Sequence, residues 1–166
     1  MTRSSVLFVC MGNICRSPTA HGVFRHKVSE QGLSDSTEVD SAATHNFHPN
    51  SPPDERSQAH AAKRGYDLSD LRARQIQAAD FEEFDLILVM DHDNLTLVQQ
   101  ECPPMHQHKI RRLTEFCLQF DGSIVPDPYY GGAKGFEHVL DLVEDACNGL
   151  LQHVRQQRES QGNQES

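Results

Sequence analysis

The sequence predicts an α/β domain built on a parallel sheet. Short apolar runs typical of buried strands alternate along the chain with segments of helical periodicity. Polar residues follow or end three of these runs, at Cys10, Ser41 and Asp91. With 166 residues, the chain is long enough for one well-buried core. We therefore expect a single three-layer domain over 1–155, with helices on both faces of the sheet, and a polar tail over 156–166 that frays.

The first predicted strand leads into a loop that suits an anion. The apolar run 6–9 is typical of a strand covered on both faces, and Pro18 suits the first turn of a helix that Ser17 caps. A loop between a strand end and a helix start directs backbone N–H groups at one point. Gly12 and Asn13 tolerate the positive φ that such a tight loop needs. This anion site contains a thiol, that of Cys10.

Five residues separate Cys10 from Arg16, so a curled loop could bring both side chains to one phosphate. The helix start and the guanidinium both favour the thiolate. We expect Arg16 to hold two phosphate oxygens while Cys10 attacks phosphorus and forms a phosphocysteine. Ser17 would donate a hydrogen bond to the sulfur and stabilise it as a leaving group. The alternative, a structural cysteine beside a surface arginine, does not account for the whole Cys-x5-Arg-Ser-Pro pattern.

The remaining elements follow in chain order. Helices are predicted over 18–31, 51–64, 94–100 and 136–155, with one helical turn over 80–84. Strands are predicted over 37–43, 86–90 and 110–113, the last at an edge of the sheet. Ser51 is expected to cap the second helix, and Pro103 and Pro104 to end the third. Because the carboxyl ends of parallel strands meet at one edge of a sheet, Cys10, Ser41 and Asp91 should lie there together.

Phosphocysteine formation also needs a proton donor for the departing oxygen, usually on a mobile loop. Asp127 fits this role, since two prolines flank it and two glycines follow closely in the stretch 125–132. We expect Asp127 to protonate the leaving group and then to activate water. Taken alone, this stretch favours an ordinary Asp-Pro turn; its pairing with the N-terminal loop favours the acid instead.

Aromatic residues near these groups predict a deep slot. Tyr129 and Tyr130 would form its walls, with Phe47 opposite and Met11 near the floor. A flat, deep slot suits a phenyl phosphate, because a phosphoserine would fall short of the thiolate. The alternative is that these aromatic side chains only pack against the protein.

The stretch VLFVCMGNICRSPTA, together with Asp-Pro-Tyr-Tyr at 127–130, resembles the low-molecular-weight protein tyrosine phosphatases from about Ser4 to Leu151. The resemblance implies a flavodoxin-like sheet in strand order 2-1-3-4 and hydrolysis of phosphotyrosine without a cofactor. It also implies that Asn13 bonds the serine after strand two, Ser41, to hold the loop in shape, and that Asp91 supports the site. The phosphate loop would comprise Cys10, Met11, Gly12, Asn13, Ile14, Cys15, Arg16 and Ser17.

Two departures from the family pattern concern the surroundings of the loop. His21 stands where many relatives carry an acidic residue, and the stretch 70–72 replaces a histidine often found before the Ala-Arg-Gln segment. These changes bear on the network behind the loop and leave the chemistry intact.

Cys15 is a second thiol in the phosphate loop. Its sulfur could come within bonding range of Cys10, and a reversible disulfide would protect Cys10 from over-oxidation and switch activity off. The alternative is that Cys15 is a small buried hydrophobe. Five cysteines without a framework spacing predict free thiols in a reducing cytoplasm.

Composition excludes several classes of function. A net charge of −9 argues against nucleic-acid binding, and no apolar stretch approaches the roughly 18 residues of a membrane span. The histidines besides His21 show no pairing typical of a metal site. The expected partners are phosphotyrosine proteins, among them a tyrosine kinase, as substrates. Inorganic phosphate or vanadate should compete with them.

Three rival functions share the loop. An arsenate reductase would need two further cysteines as a disulfide relay, whereas Cys102, Cys117 and Cys147 are widely spaced. A phosphoarginine phosphatase resembles this family but carries threonine at the position of Ile14. An inactive phosphate-binding relative would not need the nucleophile, arginine, serine and acid that are all present.

Overall fold

Parallel strands form the centre of the molecule in this computed structural model, which describes residues 3–129 and 131–165. The strands are β1 (Ser4–Cys10), β2 (Thr37–Ala43), β3 (Leu86–Val89) and β4 (Ile110–Arg112). Their order across the sheet is β2-β1-β3-β4, and every neighbouring pair is parallel. Val6 lies opposite Val39 on one side and Leu86 on the other. The strand order that the family resemblance implied is confirmed.

Helices connect the strands as parallel pairing requires. They are α1 (Arg16–Glu30), α2 (Glu55–Lys63), α3 (Ala78–Glu83), α4 (His92–Glu101) and α5 (Ala133–Glu165). Each predicted helix and strand is present, with ends that differ by a few residues from the predicted ones. The start of the second helix differs by four residues, because the two prolines after Ser51 remain extended and the helix begins at Glu55.

Both predicted helix caps are wrong. Helix α1 begins two residues before Pro18, which places Ser17 inside its first turn and makes Cys15 the residue before the helix. The Ser17 hydroxyl is engaged by other side chains of the loop and does not cap the helix. At α2, the carboxylate of Asp54 accepts hydrogen bonds from the backbone N–H groups of Arg56 and Ser57, at 2.8 and 3.3 Å. Asp54, rather than Ser51, therefore caps α2.

The apolar residues of β1 are buried on both faces of the sheet. Val6 and Phe8 pack in the cluster that contains apolar residues of α1 and α5. Leu7 and Val9 pack in a second cluster on the other face, which includes Phe81 of α3 and Val98 of α4. All four β1 side chains are 1% exposed or less. This two-sided burial gives the predicted three layers and fixes the end of β1, where the loop begins.

The last helix is longer than the sequence predicts. A frayed polar tail was expected from residue 156, but α5 continues to Glu165. The stretch 155–160 is rich in Gln, Arg and Glu, which are good helix formers, and no proline interrupts the hydrogen-bond ladder. The prediction of a frayed tail from residue 156 is therefore wrong as far as Glu165, where the helix ends.

Candidate active site

Three residues were expected to meet at the carboxyl edge of the sheet, and two of them do so directly. Cys10 ends β1, and Asp91 follows β3 and caps α4 by accepting a hydrogen bond from Asn94 N at 2.8 Å. Ser41 lies within β2, paired with Phe8, rather than after the strand. The thiol of Cys10 and the carboxylate of Asp91 are therefore at the edge, while Ser41 lies two residues before it.

The sulfur of Cys10 is buried and surrounded by donors. The Ser17 hydroxyl lies 3.0 Å from Sγ, and the backbone N–H of Ser17 donates to the same sulfur at 3.4 Å. Asn13 Nδ2 donates to the Ser17 hydroxyl at 2.7 Å, which orients that hydroxyl. Cys10 itself is 2% exposed. These contacts fix the position of the sulfur at the base of the loop.

Only one of the two residues expected to tolerate positive φ adopts it. Asn13 has φ of 57°, whereas Gly12 is not in the left-handed region. A Cβ at Gly12 would lie 3.2 Å from Cδ2 of His48, so a side chain there would press on the histidine ring. The positive φ that the tight loop was expected to need is supplied by Asn13.

The expected bond between Asn13 and Ser41 is also wrong. Asn13 Oδ1 accepts from the backbone N–H of Arg74 at 3.1 Å, and its amide nitrogen is used by Ser17. The Ser41 hydroxyl lies 3.0 Å from Nδ1 of His21, on α1. Burial lowers the pKa of His21 to about 4, so this imidazole is neutral at ordinary pH. Because Ser41 lies inside β2, its hydroxyl meets α1 rather than the loop.

Arg16 is held rigidly beneath the pocket. Its guanidinium is 2% exposed, and Nη1 donates to Asp91 Oδ2 at 2.6 Å and to the Val125 carbonyl at 3.0 Å. Nη2 lies 3.8 Å from Asp127 Oδ2. Burial by itself lowers the pKa of Arg16, but the nearby charges of Cys10, Asp91 and Asp127 outweigh it and raise that pKa above its usual value. Arg16 is therefore a fixed positive charge beside the thiol.

A pocket of about 210 Å³ opens above these groups. Nine predicted site residues line it: Cys10, Met11, Gly12, Ile14, Cys15, Arg16, Phe47, Asp127 and Tyr129. Asn13 and Ser17 do not line the pocket, and their side-chain hydrogen bonds hold the loop in shape. Met11 is 38% exposed and so belongs to the opening of the pocket, not to its floor, where Cys10 lies. Tyr130, expected as a second wall, lies outside the described residues.

The opposite side of the pocket is more exposed. Asp127 Oδ1 accepts from the backbone N–H of Tyr129 at 3.0 Å, which forms a turn around the carboxylate. The ring of Tyr129 lies 5.4 Å from the Arg56 guanidinium, and the ring of Phe47 stacks on His45 with 4.8 Å between centroids. Asp127 and Tyr129 thus share one turn, while Phe47 is supported from its outer face.

Sequence reasoning missed His48, which also lines the pocket. Its ring makes an edge contact with Phe47, at 6.4 Å between centroids. The sequence pattern predicts no site role for the histidines other than His21. The available signal was its position, directly after an aromatic residue already assigned to the slot.

Cys15 lies in the wall of the pocket but is only 5% exposed. Burial raises the pKa of its thiol to about 12, although a hydrogen bond with Ser57 acts in the opposite direction. Of the other thiols, Cys102, Cys117 and Cys147 are not among the residues that line the pocket. Burial raises the pKa of each of them, to about 11 for Cys117.

Within 3–129 and 131–165, His, Cys, Asp and Glu side chains form no group of three or more that could hold a metal ion. Over the same residues, no helix has both the length and the apolar composition to cross a bilayer.

Comparisons with known proteins agree with this geometry. The family model described as low molecular weight phosphotyrosine protein phosphatase matches residues 5–160. The low molecular weight protein-tyrosine-phosphatase of Streptomyces coelicolor is 43% identical over 157 residues, which cover 93% of this chain and 95% of the relative. The human low molecular weight phosphotyrosine protein phosphatase is 40% identical over 151 residues, with 89% and 94% covered.

A solved structure extends the likeness to the fold. A protein tyrosine phosphatase from Entamoeba histolytica superposes with a TM-score of 0.90 at 38% identity, covering 93% of this chain and 99% of that one. Sequence and structure agree over nearly the whole length. The chain belongs to the low-molecular-weight protein tyrosine phosphatase family and is an enzyme of that class.

Proposed function

We propose that the enzyme hydrolyses phosphotyrosine on proteins, and simple aryl phosphates, through a phosphoryl group carried on Cys10. The observation that carries this proposal is the placement of one sulfur. It lies at the base of the pocket with the Ser17 hydroxyl 3.0 Å away, beside a buried arginine whose pKa the thiolate charge raises. A nucleophile stabilised by fixed charge and donors is what covalent phosphoryl transfer requires.

In the first step the Cys10 sulfur attacks phosphorus. The S–P bond forms while the P–O bond to the tyrosine oxygen breaks, and Asp127 gives its proton to that oxygen. Nη1 of Arg16 is already used by Asp91 and Val125, so the guanidinium edge formed by Nε and Nη2 would hold two phosphoryl oxygens. Nη1 thus holds the side chain in place, while Nε and Nη2 stay available for the phosphoryl group.

In the second step water attacks the phosphocysteine. Asp127, now a carboxylate, takes a proton from the water, the S–P bond breaks and inorganic phosphate leaves. The donors from Ser17 stabilise the departing thiolate. Asp127 suits both steps because its side chain is 41% exposed and so open to the leaving group and then to water.

The pocket walls support an aryl substrate. Phe47 and Tyr129 offer flat faces, and Ile14 gives an apolar contact where a phosphoarginine phosphatase carries threonine. Phosphate and vanadate would bind the same loop and compete with phosphotyrosine proteins or a tyrosine kinase. We also propose a cytoplasmic setting, since free thiols such as Cys10 and Cys15 suit a reducing compartment.

Trapping the intermediate tests the mechanism. Asp127→Ala given nitrophenyl phosphate with a labelled phosphoryl group should accumulate label, because its leaving group departs without an acid while the second step lacks its base. After an acid quench, peptide mapping should find the label on Cys10. Label on another residue, or a burst of product without any labelled protein, would overturn the covalent route.

The second thiol of the loop supports a regulatory proposal. Peroxide would oxidise the Cys10 thiolate to a sulfenic acid, and Cys15 would attack that sulfur, forming the disulfide and releasing water. Burial raises the pKa of Cys15 to about 12, so its attack should be slow and should quicken as pH rises. After dilute peroxide and then dithiothreitol, the wild type should recover more activity than Cys15→Ser. Equal recovery would show that Cys15 does not protect Cys10.

A further inference from the structure

A second cavity, of about 220 Å³, lies beside the catalytic pocket and takes no part in the chemistry described above. Its apolar lining comes from Phe81 and Val98, which are buried, and from Ile76 and Leu97, which are half-buried. Polar side chains of Thr44, His45, Gln75, Gln77 and Glu101 complete the lining. An apolar base with polar groups around it is typical of a site for an apolar side chain whose backbone stays hydrated.

One stacked pair of rings separates the two cavities. His45 lines the second cavity, Phe47 lines the catalytic pocket, and their ring centroids are 4.8 Å apart at an interplanar angle of 14°. An extended peptide advances about 3.3 Å per residue. A substrate with its phosphotyrosine in the first pocket therefore reaches the second cavity within a few residues.

The second cavity is fixed to the phosphate loop by backbone hydrogen bonds. The N–H groups of Thr44 and His45 donate to the carbonyls of Cys10 and Met11, at 2.9 and 3.0 Å. On the other rim, Ile76 N donates to the Ala43 carbonyl at 2.8 Å. The cavity thus keeps a constant position relative to Cys10, and binding there needs little rearrangement.

We propose that this second cavity is a substrate subsite, which receives an apolar side chain near the phosphotyrosine of a protein substrate. The occupant is the substrate itself because the stacked His45–Phe47 pair places the cavity next to the catalytic pocket, within reach of the same peptide. The proposal rests on the proposed function and adds a preference to it. Enclosing a leucine or phenylalanine side chain there would raise kcat/KM by about 10-fold.

Phosphotyrosine peptides test the preference. A set with leucine at each of the three positions on either side of the phosphotyrosine is compared with an all-glycine background. One position should give about 10-fold higher kcat/KM, with nitrophenyl phosphate as the reference for chemistry. If the enzyme turns over nitrophenyl phosphate but no position shows a preference, the subsite is wrong. If it hydrolyses neither substrate, the proposed function fails instead.

A matched pair of variants ties the preference to the cavity. Ala78 lines the cavity and is exposed, so Ala78→Trp should fill it and abolish the leucine preference without changing nitrophenyl phosphate turnover. Ala79, the next residue of α3, does not line it, and Ala79→Trp should keep the preference. Leu97→Asp, which puts a charge on the lining, serves as a second variant should Ala78→Trp not fold. A preference that survives filling or charging the cavity would overturn the proposal.

Discussion

The two ends of the catalytic pocket are built in opposite ways. At the phosphate end, Cys10, Arg16 and Ser17 are 2% exposed or less and are joined by hydrogen bonds to fixed neighbours. At the leaving-group end, the side chains of Tyr129 and Phe47 are 37% and 60% exposed. The phosphoryl group is the same in every substrate, so its site can be rigid. The rest of the substrate varies and water must enter, so the other end stays open.

Replacing the nucleophile should have the largest effect. Cys10→Ser should lower kcat by about 10⁴-fold or more on any substrate, because a serine hydroxyl in this loop does not ionise. Phosphate should still bind, with a dissociation constant within a few-fold of the wild type, as measured by calorimetry. Turnover within 100-fold of the wild type would show that another group attacks phosphorus.

Arg16→Lys should rank next, at about a 10³-fold loss in kcat/KM. Lysine keeps the charge but loses the fork, so it cannot hold two phosphoryl oxygens while also bonding Asp91 and the Val125 carbonyl. The loss should be equal for tyrosyl and nitrophenyl phosphates, since the phosphate end meets the same group in both. A loss that depended on the leaving group would break the distinction between the two ends. A thermal melt controls for folding.

Asp127→Ala should separate the two ends most clearly. The first step should slow by about 10²-fold for phosphotyrosine, whose oxygen is a poor leaving group, and only a few-fold for nitrophenyl phosphate. Single-turnover kinetics on both substrates isolate this step. Equal losses would remove Asp127 as the acid.

Removing a wall of the slot should cost less. Tyr129→Ala and Phe47→Ala should each raise KM for phosphotyrosine peptides by about 10-fold, because each loses an aromatic contact with the substrate ring. Small alkyl phosphates provide the comparison, since they lack the ring and should be unaffected. Equal changes with alkyl phosphates would mean that these residues act on the loop rather than on the substrate.

The smallest effect is the loss of folding stability at low pH that His21, behind the phosphate loop, should cause. Unfolded His21 takes up a proton near its ordinary pKa of 6.5, whereas the folded residue does so only near pKa 4. Between these values the unfolded state binds more protons, so stability falls as pH falls. His21 should account for a loss of about 1 kcal/mol between neutral pH and roughly pH 5.5. Denaturant unfolding of the wild type and His21→Gln should show a flatter profile for the variant.

The sequence predicted the secondary-structure elements and most residues that line the pocket, because both leave local signals. The buried runs, the helical periodicity and the spacing from Cys10 to Arg16 can all be read within short stretches. Asp127 stood out through its flanking prolines and the following tyrosines. Nine of the residues expected in the site line one pocket, so the chemistry-bearing part was predictable.

The missed features depend on tertiary directions that a short stretch does not encode. Ser41 bonds His21 because β2 packs under α1, and Asn13 takes the backbone N–H of Arg74, sixty-one residues away. Ser17 was expected to cap α1, but its hydroxyl is hydrogen-bonded to the side chains of Cys10 and Asn13 instead. His48 could not be read from a short stretch, because its ring meets Gly12, thirty-six residues earlier, at the pocket.

The Val125 carbonyl constrains how this enzyme can vary. Val125 N donates to the Met90 carbonyl at 2.7 Å, and its own carbonyl accepts from Arg16, only two residues before Asp127. Inserting one residue between them would displace the carboxylate by about 3.3 Å. That shift is nearly the whole 3.8 Å that now separates Asp127 from Arg16 Nη2. Because Arg16 contacts both Val125 and Asp127, the number of residues between them is fixed. Insertions that preserve catalysis must therefore fall elsewhere in the loop.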